Sequence, residues 1–129
     1  MIKSGILNPA LLSLLARIRH TNTLVIADRG FPFWPQLETI DLSLVDGVPT
    51  VLQVLDALAP NFVIGRAYAA AEFKQHNSAV VQQALAARFN SVPLVFELHA
   101  DFKKRVPSAI GLVRTGDTVP YANLILESA

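Results

Sequence analysis

His20-Thr21-Asn22-Thr23-Leu24-Val25-Ile26-Ala27-Asp28-Arg29-Gly30 sets an unbroken apolar run, residues 24–27, between an imidazole and a carboxylate. Four apolar residues bounded by polar and turn residues read as a buried strand. Imidazole is the one side chain whose ordinary pKa lies near neutrality, so His20 can give or take a proton without an extreme environment. Asp28 stands where the strand gives way to a turn, and its carboxylate can hold a hydroxyl. By pattern alone a His after a helix is most often a solvated residue, and an Asp after a strand most often a turn former.

Working outward toward the N-terminus, Asn8-Pro9 is a helix start, with the Asn side chain capping free N–H groups and Pro tolerated at the first helical position. Leu11, Leu14, Leu15 and Ile18 then share one face. Arg17 and Arg19 are expected in the last turn, where positive charge suits the negative end of the helix dipole, a field that also suits His20 as an acid. On the other side, Gly30, Pro32 and Pro35 with Phe31, Phe33 and Trp34 form a rigid aromatic loop. That loop fits a lid over the core, an intersubunit contact or a substrate wall equally well.

Residues 38–44 read as a short strand closed by a turn at Asp46-Gly47. Pro49-Thr50 opens a helix to about 59 whose buried stripe is Val51, Leu52, Leu55 and Leu58. Residues 62–71 are apolar enough for a strand, broken only by Gly65 and Arg66. A helix over 78–89 directs Val80, Val81, Ala84 and Leu85 inward. A strand at 94–96, a polar turn or short helix at 99–104, and strands at 109–114 and 124–126 complete the chain. Strands alternating with helices give an α/β fold, a single three-layer α/β/α domain over residues 1–129 with a largely parallel sheet that admits mixed strands. Ligands in such folds sit beyond the carboxyl ends of strands, where Asp28 and the residues near His99 fall.

Composition narrows the function. Hydrophobic residues make up 52% of the 129 and charged ones 16%, a balance that leaves a lone monomer with apolar surface to hide and favours a homo-oligomer. Net charge is +1 from 11 basic and 10 acidic residues. That offers no electrostatic footprint for nucleic acid, and Lys103-Lys104-Arg105 is short enough to be a solvated face. No apolar run approaches the roughly 18 residues of a membrane span, and the N-terminus lacks a secretory pattern. Without cysteine the chain has no disulfide, thiolate metal site or Cys nucleophile, which fits a cytoplasmic protein.

The six glycines are scattered, giving no phosphate-binding loop. His20, His76 and His99 are too far apart in sequence for a local metal motif, so no metal is expected. His76 reads as an exposed loop or cap residue. His99 directly follows a strand, with Asp101 and Lys103 nearby, and a functional role there is about even with a surface one. Tyr121 and Asn123 flank Ala122 after Pro120. In an extended segment both point to one side, as two hydrogen-bonding groups for a polyol require; alternatively Tyr121 anchors its own loop.

His20-Thr21, residues 23–28 with Gly30, residues 40–44, Gly47-Val48-Pro49, Ala71-Glu72-x-Lys74, His99-x-x-Phe102-Lys103, Arg114-Thr115-Gly116 and Pro120-Tyr121-Ala122-Asn123 together resemble the D-ribose pyranase and L-fucose mutarotase family. The resemblance runs in order along nearly the whole chain. It implies an enzyme that opens and recloses sugar rings with no redox chemistry and no cofactor. It assigns the catalytic acid to His20 and the holding of the monosaccharide to Asp28, His99, Lys103, Tyr121 and Asn123. It also implies a decamer-like ring with sites between neighbouring subunits, His20 reaching in from one side. Ring opening needs one proton delivered and one removed, which suits a group with pKa near the working pH. Residues 40–44, 47–49 and 121–123 lean toward the ribose branch. Phe31-Pro32 is similar to the fucose branch, Arg29 and Trp34 match neither, and residues 126–129 lack the family's short Gly-Val-aromatic tail. The expected activity is ring-form interconversion of D-ribose, with an L-fucose mutarotase or a non-catalytic sugar-binding accessory of transport as alternatives.

Overall fold

The strand read from residues 24–27 is β1 (Thr23–Ala27), and the computed structural model, which describes residues 1–3 and 5–129, places it in the interior of a six-stranded sheet. The other elements are α1 (Pro9–Ala16), β2 (Thr39–Asp41), α2 (Val51–Leu58), β3 (Ile64–Ala70), α3 (Glu72–His76), α4 (Ala79–Ala86), β4 (Leu94–Glu97), α5 (His99–Arg105), β5 (Gly111–Arg114) and β6 (Leu124–Ser128). The sheet order is β2-β5-β1-β6-β3-β4. β1 pairs parallel with β5, Val25 opposite Leu112, and antiparallel with β6, Val25 opposite Ile125. β2 is parallel to β5, β3 is parallel to β4, and β3 is antiparallel to β6. The sheet is therefore mixed, with β6 alone running against the rest. The carboxyl ends of β1 to β5 and the start of β6 share one edge.

Alternation along β1 divides the core between two faces. Leu24 and Ile26 pack with Leu11 and Leu14 of α1, Val51, Val54, Leu55 and Leu58 of α2, Phe73 of α3 and Leu85 of α4. Val25 and Ala27 pack with Phe102 of α5, Val106, Phe31 and Leu37. Helices thus cover both faces, in the three layers expected. Gly111 permits the close seating of α1 on β5, since a Cβ there would stand 2.6 Å from Leu14 Cδ2. Fully burying Leu14 contributes roughly 2 kcal/mol of apolar transfer.

Local chemistry sets the element ends. Asn8 Oδ1 accepts from Leu11 N–H at 2.9 Å, and Pro9 opens α1. Thr50 and Gln53 form a reciprocal capping box on α2, with bonds of 3.1 and 2.9 Å. α1 ends at Ala16, earlier than expected, with Arg17 as its C-cap. Arg19 lies past the last turn, yet its Nη1 donates to the Ala16 carbonyl at 2.8 Å, and His20 follows it, four residues beyond Ala16. The strand expected over 38–44 is cut to Thr39–Asp41, because Asp41 Oδ1 accepts from Ser43 N–H at 2.9 Å and turns the chain. On α2 it is Val54 rather than Leu52 that completes the buried stripe. Val80, expected inward, is 74% exposed. Helix α3 has no counterpart in the sequence reading. No described helix is long and apolar enough to cross a membrane.

Candidate active site

Asp28 leaves the carboxyl end of β1 beside Asn123, which enters β6. The Asp28 N–H donates to Asn123 Oδ1 at 2.7 Å, and Asn123 Nδ2 donates to Asp28 Oδ2 at 3.2 Å. Asn123 is 2% exposed, so its amide is fixed by this pairing. Asp28 Oδ1 accepts from Gly30 N–H at 2.9 Å, the bond of a turn former, while Oδ2 faces Asn123. Burial pushes the Asp28 carboxyl above its ordinary pKa, while the Gly30 and Phe31 N–H groups, the Asn123 amide and the Arg114 charge pull it back. Arg114 also ties down the following loop, donating from Nη1 to the Asp28 carbonyl at 3.0 Å and from Nη2 to the Pro32 carbonyl at 3.1 Å.

His99 is the first residue of α5, just past β4. Its ring meets Phe31 edge-on at 6.1 Å, lies nearly parallel to Phe102 at 6.0 Å and meets Tyr121 edge-on at 5.1 Å. Its Nδ1 is buried without a hydrogen-bond partner among the described residues. Burial lowers the His99 pKa, and Lys103 lowers it further; Glu72 and Asp28 oppose both. Tyr121 is not extended: its φ of 56° puts it in the left-handed region, within a turn. Of the two alternatives, the shared face of Tyr121 and Asn123 is therefore absent, because that geometry requires extended backbone. Both reach the same cleft by the turn instead. His76, at the end of α3, stacks on Tyr121 at 5.1 Å, so it has a tertiary partner as well as its exposure.

Asp28, Gly30, Phe31, Pro32, His99, Pro120, Tyr121 and Asn123 line a cleft of about 240 Å³. A carboxylate and an amide beside aromatic rings and prolines suit a neutral polyol, whose hydroxyls need acceptors and donors and whose C–H faces need apolar contact. The loop over 31–35 divides its parts: Phe31 is 5% exposed and walls the cleft, whereas Phe33 is 70% exposed. Lys103 is one turn along α5 from His99 and is absent from the cleft lining, acting on His99 through its charge. Lys104 pairs with Asp101 at 3.1 Å and Arg105 with Glu97 at 2.6 Å, so part of the basic run is spent on ion pairs.

His20 is elsewhere. It lies exposed before β1, where the neighbouring Thr21 N–H bonds the Ser128 carbonyl at 3.0 Å, at the far end of β6. The length of β1 alone puts roughly 17 Å between the two edges. One chain therefore assembles Asp28, His99, Tyr121 and Asn123 but not His20. No group of three or more His, Cys, Asp or Glu gathers with metal-holding geometry among the described residues. Sequence reading did not single out Glu72 or Arg114 from residue chemistry. Glu72 carried the same positional signal as Asp28, a carboxylate just past a strand's carboxyl end, whereas nothing local marks Arg114.

The sequence model of the RbsD / FucU transport protein family matches residues 1–129. The chain is 44% identical over 128 residues to the D-ribose pyranase of Geobacillus thermodenitrificans, covering 99% of this chain and 96% of that protein. The structure of Bacillus subtilis RbsD complexed with D-ribose is similar with a TM-score of 0.93 and 36% identity, over 100% of this chain and 98% of that one. The fucose mutarotase of Streptococcus pneumoniae, in complex with L-fucose, shares the fold with a TM-score of 0.74 and 21% identity, over 98% and 94% of the two chains.

Proposed function

Since the chain belongs to the RbsD / FucU transport protein family, we propose that it is an isomerase that interconverts the ring forms of D-ribose. The observation that carries this reading is the cleft in which Asp28 and Asn123 are paired beside His99 and Tyr121, in a chain 44% identical to a D-ribose pyranase. Ribose is preferred to fucose because the fucose mutarotase, at 21% identity, supports the fold alone.

Ring opening moves two protons. The anomeric hydroxyl loses one as its C1–O bond becomes the aldehyde carbonyl, and the ring oxygen gains one as its bond to C1 breaks. Reclosure by the same hydroxyl exchanges anomers, and reclosure by a different one exchanges pyranose and furanose. Asp28, Asn123 and Tyr121 hold the hydroxyls, His99 forms the facing wall, and Lys103 supports the site from the next turn of α5. His20, which comes from a second copy because within one chain it stands at the opposite sheet edge, gives the ring oxygen its proton, and the anomeric hydroxyl passes its own to solvent. The working form is then a ring-shaped homo-oligomer with sites at the contacts between copies. A cytoplasmic location accords with a sequence free of cysteine.

Magnetisation-transfer NMR on D-ribose and L-fucose tests this reading, because it sees ring forms exchange at equilibrium. The expected result is new exchange between ribose pyranose and furanose signals. Exchange between fucose anomers alone would make the protein a fucose mutarotase. Saturable ribose binding without exchange would make it a binding accessory and leave His20 without a catalytic role.

A further inference from the structure

The first turn of any helix exposes N–H groups that need acceptors, and the residue before it usually supplies one from its side chain. In α5 that residue is Leu98, which has no acceptor to offer, and no side-chain cap bond forms there. The acceptor comes instead from another element. Glu72, first in α3, receives the His99 N–H on both carboxylate oxygens, at 3.1 and 3.0 Å. The opposite end of the same segment serves the other wall of the cleft. Asn77 Nδ2 donates to the Pro120 carbonyl at 2.9 Å and to the Phe73 carbonyl at 2.8 Å, while the His76 ring stacks on Tyr121.

We propose that α3 is the bracket of the sugar site, with Glu72 the positioning residue of His99, and Asn77 and His76 the positioning residues of Tyr121. The proposal rests on the reading of the cleft as the ribose site. β3 delivers α3 to the carboxyl edge between two segments distant in sequence, the start of α5 and the turn at 120–121. A five-residue helix with Phe73 as its one buried side chain contributes little to the core, yet it contacts both cleft walls. The charged groups facing the His99 ring are Glu72 from α3, Asp28 from the end of β1 and Lys103 from α5 itself. Tyr121 lies edge-on to the ring, with His76 on its far side. Of these, Glu72 bonds the His99 backbone, so it sets the position of the ring as well as its charge balance.

Two variants separate the effects. Glu72→Gln keeps one acceptor for the His99 N–H and removes the charge; Glu72→Ala removes both. In the folded Glu72→Gln protein the His99 titration, followed by ring-proton NMR, is expected to fall below that of the parent protein, because Glu72 favours the protonated ring. In Glu72→Ala the KM for D-ribose exchange is expected to rise about tenfold, with the saturated rate within about twofold of the parent, as for a lost hydrogen bond to a charged group that serves binding. Asn77→Ala, which leaves His99 alone, is expected to raise KM without moving the His99 titration. A purely structural Glu72 would lower the thermal stability of Glu72→Ala and leave its KM for D-ribose at the parent value, and that result overturns the proposal. The titration needs no activity, whereas absence of exchange in the parent protein would overturn the ribose reading itself.

Discussion

Asp28 is a carboxylate partly withdrawn from water, and His99 an imidazole partly withdrawn from water. The same burial pushes the first pKa up and the second down. In the window above the ordinary Asp value the folded chain holds more protons than the unfolded one, so stability falls as pH rises through it. In the window below the ordinary His value the folded chain holds fewer, so stability rises with pH. For the proposed role of the two residues in holding the sugar the consequences point one way. Ionised Asp28 is the acceptor form, and it is lost on acidification sooner than an ordinary Asp would be. His99 is neutral at neutral pH and gains its proton only below the ordinary His value. The KM for D-ribose should therefore be flat above the ordinary His range and climb as pH drops below it. Exchange kinetics across that range check this, and a KM that is lowest near pH 5 would contradict it.

At the scale of elements, the loop from Thr115 to Asn123 fastens the site to α2. Asp117 is 4% exposed; its Oδ2 accepts from Val51 N–H at the start of α2 and its Oδ1 from Val119 N–H, each at 2.8 Å. Asp117→Ala strands two N–H donors and removes a negative group from a helix N-terminus. The expected loss is about 2–4 kcal/mol, read as a lower denaturation midpoint; an unchanged midpoint would contradict this role. Elements with their own signals were legible in the sequence: β1 from its apolar run, α1 from Asn8-Pro9, α2 from Pro49-Thr50. α3 was not, because a single buried residue, Phe73, makes no period. The sequence leaves Tyr121 open between an extended segment and a loop, because nothing in Pro120-Tyr121-Ala122 announces a left-handed turn; that turn is held by Asn77, from a distant part of the chain. Asp28 and His99 could be placed at strand ends by position alone. The link between Glu72 and His99 could not, since it exists only once β3 and β4 are neighbours.

At the scale of the whole molecule, the sheet separates the proposed acid from the groups proposed to hold the sugar. β1 carries Asp28 at one end and is preceded by His20 at the other, and no side-chain motion spans that length of strand. Apolar surface remains beside the cleft. Leu44, Val45 and Val48 are 77%, 61% and 46% exposed on the turn that the Arg29–Asp46 pair, at 2.7 Å, joins to the Asp28 loop. Such surface is what a second copy carrying the proposed acid would cover. The most direct measurement uses two variants, His20→Ala and Asp28→Asn, each expected to lose ribose exchange alone. They are dissociated, reassembled together, and followed by magnetisation transfer. If the site is built from two copies, mixed assemblies regain pyranose–furanose exchange, because Asp28 of the first variant meets His20 of the second. Mixed assemblies that form and stay inactive would contradict a site shared between copies.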